Sequence, residues 1–324
     1  MPVPVARSLS TLGIAKETTP GTGVAATNFI RYTPGTLKPV NRVNYLRDEG
    51  QRGAMVDVYD VRPGTTFGET SWGGPVFPDE LGWILAGHLG DVVTTGASAP
   101  YSHAFAIKNN GQPPKNYSLS DQDGVDTQRY TGQVFPEFGL KWSADGTLEY
   151  TTKTVGWAPD TPANPTFSTT TVTIVPAWTG VFTIGGSAST MMLSGELSSK
   201  RAGQAVHTHN NTQSPAFTFM GAVAVTGKFT FAMADNSEMT RYLTNTQPAV
   251  ILDWQQGAGA ALTEVKCVMT KCAYTQAIID RGKDFSVVEV TFTALGNTTD
   301  VGASAGYSPC KWTLQNQLAA NTYV

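Results

Sequence analysis

Thr66-Phe67-Gly68-Glu69-Thr70-Ser71-Trp72 alternates its side chains and runs into Pro78-Asp79-Glu80-Leu81-Gly82-Trp83-Ile84-Leu85-Ala86-Gly87-His88-Leu89-Gly90. The first stretch has the period of a strand with one buried face, the second that of a helix. Pro78 stands at the helix start, Asp79 and Glu80 fall where the macrodipole favours acids, and Gly90 lies past the end. Leu81, Ile84, Leu85, His88 and Leu89 recur at helical spacing and are expected to pack on a sheet. Further on, Gly227-Lys228-Phe229-Thr230-Phe231-Ala232-Met233 runs in the same way into Asp235-Asn236-Ser237-Glu238-Met239-Thr240-Arg241-Tyr242-Leu243. An apolar strand and a long hairpin follow in both places. The chain therefore reads as one β module written twice.

Working outward from these stretches divides the 324 residues into five parts. Residues 1–28 are a Pro-, Thr- and Gly-rich N-terminal arm with one short strand near Ser10–Thr18. Module 1 spans 29–157, a Pro-rich linker 158–165, module 2 166–297, and a C-terminal arm 298–324. Three prolines within Ala158–Pro165 rule out a central strand there. In module 1 the charged stretch 41–53 reads as a hairpin tip, followed by a strand at Met55-Val56-Asp57-Val58-Tyr59-Asp60-Val61. Residues 91–100 read as a polar linker. In module 2 Met191–Ser198 and Phe217–Met220 read as strands, with 199–215 as the tip between them. The last arm carries one strand, Cys310–Leu314.

Composition narrows the function. Hydrophobic residues make up 40% and charged residues only 15%, with Gly 33 and Pro 19, as in a turn-rich β protein. The formal net charge of −3 has the wrong sign for gripping nucleic acid through phosphates. Cys267, Cys272 and Cys310 form no C-x-x-C and read as buried free thiols in a reducing compartment. The first residues lack a signal-peptide pattern, and no apolar run has the length of a membrane span, so a cytosolic protein is expected.

Catalytic and ligand motifs are weak. His207-Thr208-His209 has no third ligand nearby and lies in a polar loop. Asp121-Gln122-Asp123-Gly124-Val125-Asp126 misplaces the glycine of a calcium loop and lacks its closing Glu, so an Asp-Gly turn fits better. Gly21-Thr22-Gly23 lacks the Lys-Ser/Thr of a phosphate loop. No cofactor, metal or catalytic residue is assigned, and a building block is favoured over an enzyme. A carbohydrate-binding β-sandwich is the rival suggested by the Trp and Tyr content.

Leu12-Gly13-Ile14-Ala15-Lys16-Glu17-Thr18-Thr19-Pro20-Gly21-Thr22-Gly23-Val24-Ala25-Ala26-Thr27 resembles the opening of tail tube proteins of long-tailed bacteriophages. The Tyr130–Val134 strand with its Leu140/Trp142 hairpin, and Val225–Thr230 before an acidic helix start, are similar to that family too. The resemblance implies a mainly β fold: two tandem β-sandwich or half-barrel modules, each with a short flanking helix, plus the two arms. It implies homo-oligomeric rings stacked helically into a hollow tube through which double-stranded DNA passes without specific binding. The acidic chain would then favour sliding. With six modules to a ring and two per chain, three chains are expected, six being the alternative. Implied partners are a tape-measure protein, a tail terminator and tail-tip proteins, in the host cytoplasm during assembly and then in the virion tail. A tail-tip or baseplate ring protein is the alternative within the virion. Hairpins and arms become the expected contacts between subunits and rings: Arg42, Tyr45, Arg47, Asp48, Glu49 and Arg52; Lys200, Arg201, His207 and His209; Lys16 and Glu17; and Trp312.

Overall fold

The computed structural model describes residues 6–111, 113–168, 170–282, 284–319 and 322–323. Its first elements are β1 (Thr11–Lys16), β2 (Asn28–Ile30), β3 (Lys38–Asp48), β4 (Asp60–Pro75) and α1 (Leu81–Leu89). Then come β5 (Gly90–Thr95), β6 (Tyr101–Ile107), β7 (Tyr117–Gln122), β8 (Thr127–Ser143) and β9 (Glu149–Gly156). After the Pro-rich segment follow β10 (Gly180–Ile184), β11 (Ser187–Ser189), β12 (Met192–Val206), β13 (Phe217–Ala232) and α2 (Ser237–Thr244). The chain continues with β14 (Val250–Gln256), β15 (Thr263–Met269), β16 (Cys272–Asp280), β17 (Val287–Ala294) and β18 (Lys311–Asn316). The protein is mainly β, and every strand pairing is antiparallel.

Eleven strands form the larger sheet, and eight of them run β3-β4-β9-β8-β12-β13-β17-β16. The first four repeat their order in the last four: a long hairpin, then the two strands of a second hairpin in reverse. Irregularities repeat as well. Val43↔Thr66 steps to Tyr45↔Pro63 in the first hairpin, and Arg201↔Val223 steps to Gly203↔Met220 in the second. A further bulge falls between Val134 and Glu137 on β8, and between Tyr274 and Gln276 on β16. Bulges bend and twist strands at fixed places, so matched bulges give matched shapes. The joint between the two sets is β8–β12, from Glu137↔Lys200 to Ser143↔Ser194. The other end of β8 continues through β7 and β1 to β2.

Seven strands, in the order β11-β10-β14-β15-β18-β6-β5, form the smaller sheet. The sheets face each other across one hydrophobic core shared by both halves of the chain. Trp142 of β8 meets Trp254 of β14 edge-to-face at 5.2 Å, and Phe138 meets Trp312 of β18 at 5.5 Å. All nine residues of α1 are buried, so the helix lies inside the sandwich rather than flanking a sheet. A Cβ at Gly87 would collide with the Phe135 ring, which explains glycine at that contact. The αL conformation of Gly90 ends the helix. α2 follows its strand in the same order but buries no residue.

Several expectations need correction. Residues 41–48 are strand, the first tip is 49–59, and Met55 stands wholly exposed within it. Asp48–Arg52 pairing and the positive φ of Gly53 fold this stretch as a turn, overriding its alternation. β12 extends to Val206, so the second tip is 207–216. Residues 90–95 are a strand, not linker. Asp79 and Glu80 precede the helix and are buried against the Arg31 guanidinium, with Thr170 donating to Asp79. The Glu80 carboxylate also accepts the Arg31 backbone N–H at 2.7 Å.

The candidate assembly surfaces

Of the end strands of the larger sheet, β3 and β16 close the eight-strand run and stand open, while β2 ends the branch through β7 and β1. An open edge presents unpaired backbone groups and is a template for another chain. The β3 edge carries Lys38, Pro39 and Arg42, and Arg42 pairs with Glu69 at 3.2 Å. The β16 edge carries Gln276, Ile278 and Asp280, all exposed. These edges are the register counterparts of β12 and β8, the strands joined inside the chain.

The solvent face of the same sheet is a ladder of opposite charges around a concavity of about 610 Å³. Glu137 lies opposite both Lys153 and Lys200, and Lys141 opposite both Glu149 and Glu196. Glu196 also faces Lys228, which reaches Glu289 at 2.8 Å. Lys153 reaches Glu69 at 3.5 Å and Lys200 reaches Glu137 at 3.7 Å. Exposed pairs of this kind contribute only about 0–1 kcal/mol each. Their effect is on the field: neighbouring strands lie about 4.8 Å apart, inside a screening length of about 8 Å, so the two signs cancel a short way from the sheet. The face is balanced, not acidic.

The hairpin tips differ. The second tip is docked within its own chain: the Thr66 N–H donates to the Gln213 carbonyl at 2.8 Å, and Gln213 Nε2 donates to the Pro63 carbonyl at 3.2 Å. His207 Nε2 lies 3.2 Å from the Thr66 carbonyl, and its ring meets Phe67. His209 is exposed in that tip. The first tip bonds to its own strands: Arg52 pairs with Asp48 and lies over the Tyr59 ring at 4.5 Å. Tyr45 and Arg47 point from β3 to solvent, and Glu49 opens the tip exposed.

The remaining candidate residues are internal. Glu17 is 2% exposed and accepts from Gly132 N–H, Ser118 Oγ–H and Gly21 N–H at 2.7–2.8 Å. Burial raises its pKa, and those donors oppose the rise. Glu17 therefore clasps the N-terminal strand to β8 and is not a contact surface; Lys16 beside it is half-buried at the end of β1. Trp312 is 1% exposed, in a strand between β15 and β6. Arg201 lies on β12 rather than in a tip, donating to the His88 carbonyl at 2.6 Å and the Gly221 carbonyl at 2.8 Å. Burial lowers its pKa to about 10.

Sequence reading missed Lys38, Asp280, Met55 and Val56, because an edge is defined only by pairing. The Lys/Glu ladder is carried by opposite charges four residues apart on each strand, Glu137 and Lys141, Glu149 and Lys153, Glu196 and Lys200, and only the strand pairing brings them together. Cys267, Cys272 and Cys310 are free and buried. Among the described residues no group of three or more His, Cys, Asp or Glu is placed to hold a metal. No helix among them is long and apolar enough to cross a membrane.

No curated protein matches the chain. Residues 7–305 match the family model described as phage tail tube protein, and with nearly its whole length inside that match the chain belongs to the phage tail tube family.

Proposed function

We propose that three chains close into a ring by repeating between chains the joint that β8 and β12 make within one. The observation that carries this reading is the repeated strand order with its matched bulges, which leaves β16 and β3 as the free counterparts of β8 and β12. Carrying the internal register across pairs Gln276 with Arg42, Ile278 with Val40, and Asp280 with Lys38. The last pair keeps the complementarity of Lys141 and Glu196 with its signs exchanged. Closing the sheet removes both edges.

Stacked rings then form the tube, with the charge-balanced face of the larger sheet lining a channel for double-stranded DNA. Basic surfaces hold DNA by releasing counterions from phosphates; lysines already opposed by glutamates do so weakly. The chain acts by assembly rather than catalysis. It meets the tape-measure, terminator and tail-tip proteins in the host cytoplasm before taking its place in the virion tail. Electron microscopy of the purified chain tests this: hollow tubes with three chains per ring in end-on views are expected. Six chains per ring would remove the repeat argument and keep the tube. A persistent monomer, or one ring that never stacks, would overturn the tube reading.

A further inference from the structure

We infer that the tip of the first hairpin, residues 49–59, seats on the outer stretch of β13 in the neighbouring chain of the same ring. The inference rests on the ring reading and adds a second lateral contact to it. Its basis is a contact the chain makes with itself. The second tip crosses the end of the β8–β9 pair and lies on β4 at Pro63–Thr66, where β4 extends beyond β9. The matched bulges make Met220–Val223 of β13 the counterpart of Pro63–Thr66, and β13 likewise extends beyond β17 there. The counterpart of the Thr66 N–H is that of Val223, and the counterpart of the Gln213 carbonyl falls at Val56.

Side-chain chemistry agrees with this placement. Inside the chain a polar tip, Asn210-Asn211-Thr212-Gln213, sits on a polar strand segment, Gly64-Thr65-Thr66. At the matched positions the other pair is apolar: Ala54-Met55-Val56, in a tip that also carries Glu49, Arg52 and Asp57, and Gly221-Ala222-Val223, in a groove that also has Lys108, Asn109 and Asn110 in its walls. Met55 is wholly exposed and Val56 55% exposed. The seat is a groove of about 530 Å³ whose walls include Phe217, Phe219, Met220 and Val223. Phe217 and Phe219 are each about half exposed. Apolar surface left open on both partners at matched positions is removed from water when they meet. The occupant is thus a second copy of this chain, approaching from the side and not from the ring above.

Paired cysteines test the geometry. The full chain carrying Val56→Cys and Val223→Cys is assembled, oxidised and run on a non-reducing denaturing gel. The native thiols are buried and do not compete. Thr66→Cys with Gln213→Cys is the control, expected to close within a single chain. Covalent species ending at the number of chains in one ring are expected. A ladder continuing past that number would place the tip on the next ring and overturn the inference. Rings that form without any cross-link would overturn it too, while leaving the ring intact. Absence of rings in micrographs would instead sink the reading beneath it. Independently, Met55→Asp with Val56→Asp is expected to raise the concentration needed for assembly at least about ten-fold, with unchanged unfolding of the single chain. An unchanged assembly concentration would overturn the seat.

Discussion

His88 shows how a single buried polar residue ties the helix to the sheet. Its ring nitrogens lie 2.7 Å from the Phe135 carbonyl and 2.7 Å from Ser199 Oγ, and burial lowers its pKa to about 4. The unfolded imidazole protonates near its ordinary value of about 6.5. Between these values the unfolded chain holds the extra proton, so stability falls as pH drops from about 6.5 to about 4. The full effect is about 3 kcal/mol. Glu80 acts with the same acid–base logic and opposite slope. Burial raises its pKa to about 7, so its contribution is present below the ordinary carboxylate value and lost as pH rises through 7. Urea titrations at several pH values are expected to show His88→Gln flattening the acid-side loss relative to the parent. An unchanged slope would mean the imidazole is already charged in the fold. Helical spacing marked His88 as inward-facing; its two partners were hidden, because Ser199 sits 111 residues away.

At the level of elements, the proposed ring joint is open to test through its two edges. Asp280→Lys would set like charges opposite one another at the proposed β16–β3 joint. Such a pair costs about 1 kcal/mol, or about five-fold in the concentration for half-assembly. Lys38→Asp in the same chain is expected to restore assembly, as read by sedimentation or light scattering. Failure of that rescue, with both single variants impaired, would rule out the register. Local periodicity made the β3–β4 and β12–β13 hairpins legible, and a proline run made the 158–165 segment legible as non-strand. Tip positions were not. Met55–Val61 alternates like a strand, but only Asp60 and Val61 find partners on β3, and Asp48–Arg52 with two nearby glycines favours a turn before them. α1 was legible as a helix, whereas its burial on every side depends on the second sheet.

On the scale of the whole molecule, the two halves are not separable solids. One core runs through both, and β18 lies in the middle of the smaller sheet between a strand from each half. Ending the chain at Cys310 would remove Trp312 and Leu314, each worth about 1.5–3 kcal/mol of apolar burial, and would bare two strand edges. Against a total stability of about 5–15 kcal/mol, such a chain is expected to lose its cooperative thermal transition in calorimetry. A sharp transition near the parent temperature would show that β18 is dispensable. The candidate surfaces were only partly legible for the same reason: pairing across long sequence separations turned two supposed arms into internal strands.

The place of β18 also bears on the order of events during synthesis. By the time residue 294 emerges from a ribosome, the neighbours of that strand already exist, and between β15 and β6 there is a slot with nothing to fill it. The smaller sheet must wait for residues 311–316 before its middle is filled. During that interval the slot accepts the same strand from any copy close enough to offer it. Crowded nascent chains are thus exposed to exchanging β18, and dilution during refolding guards against that exchange.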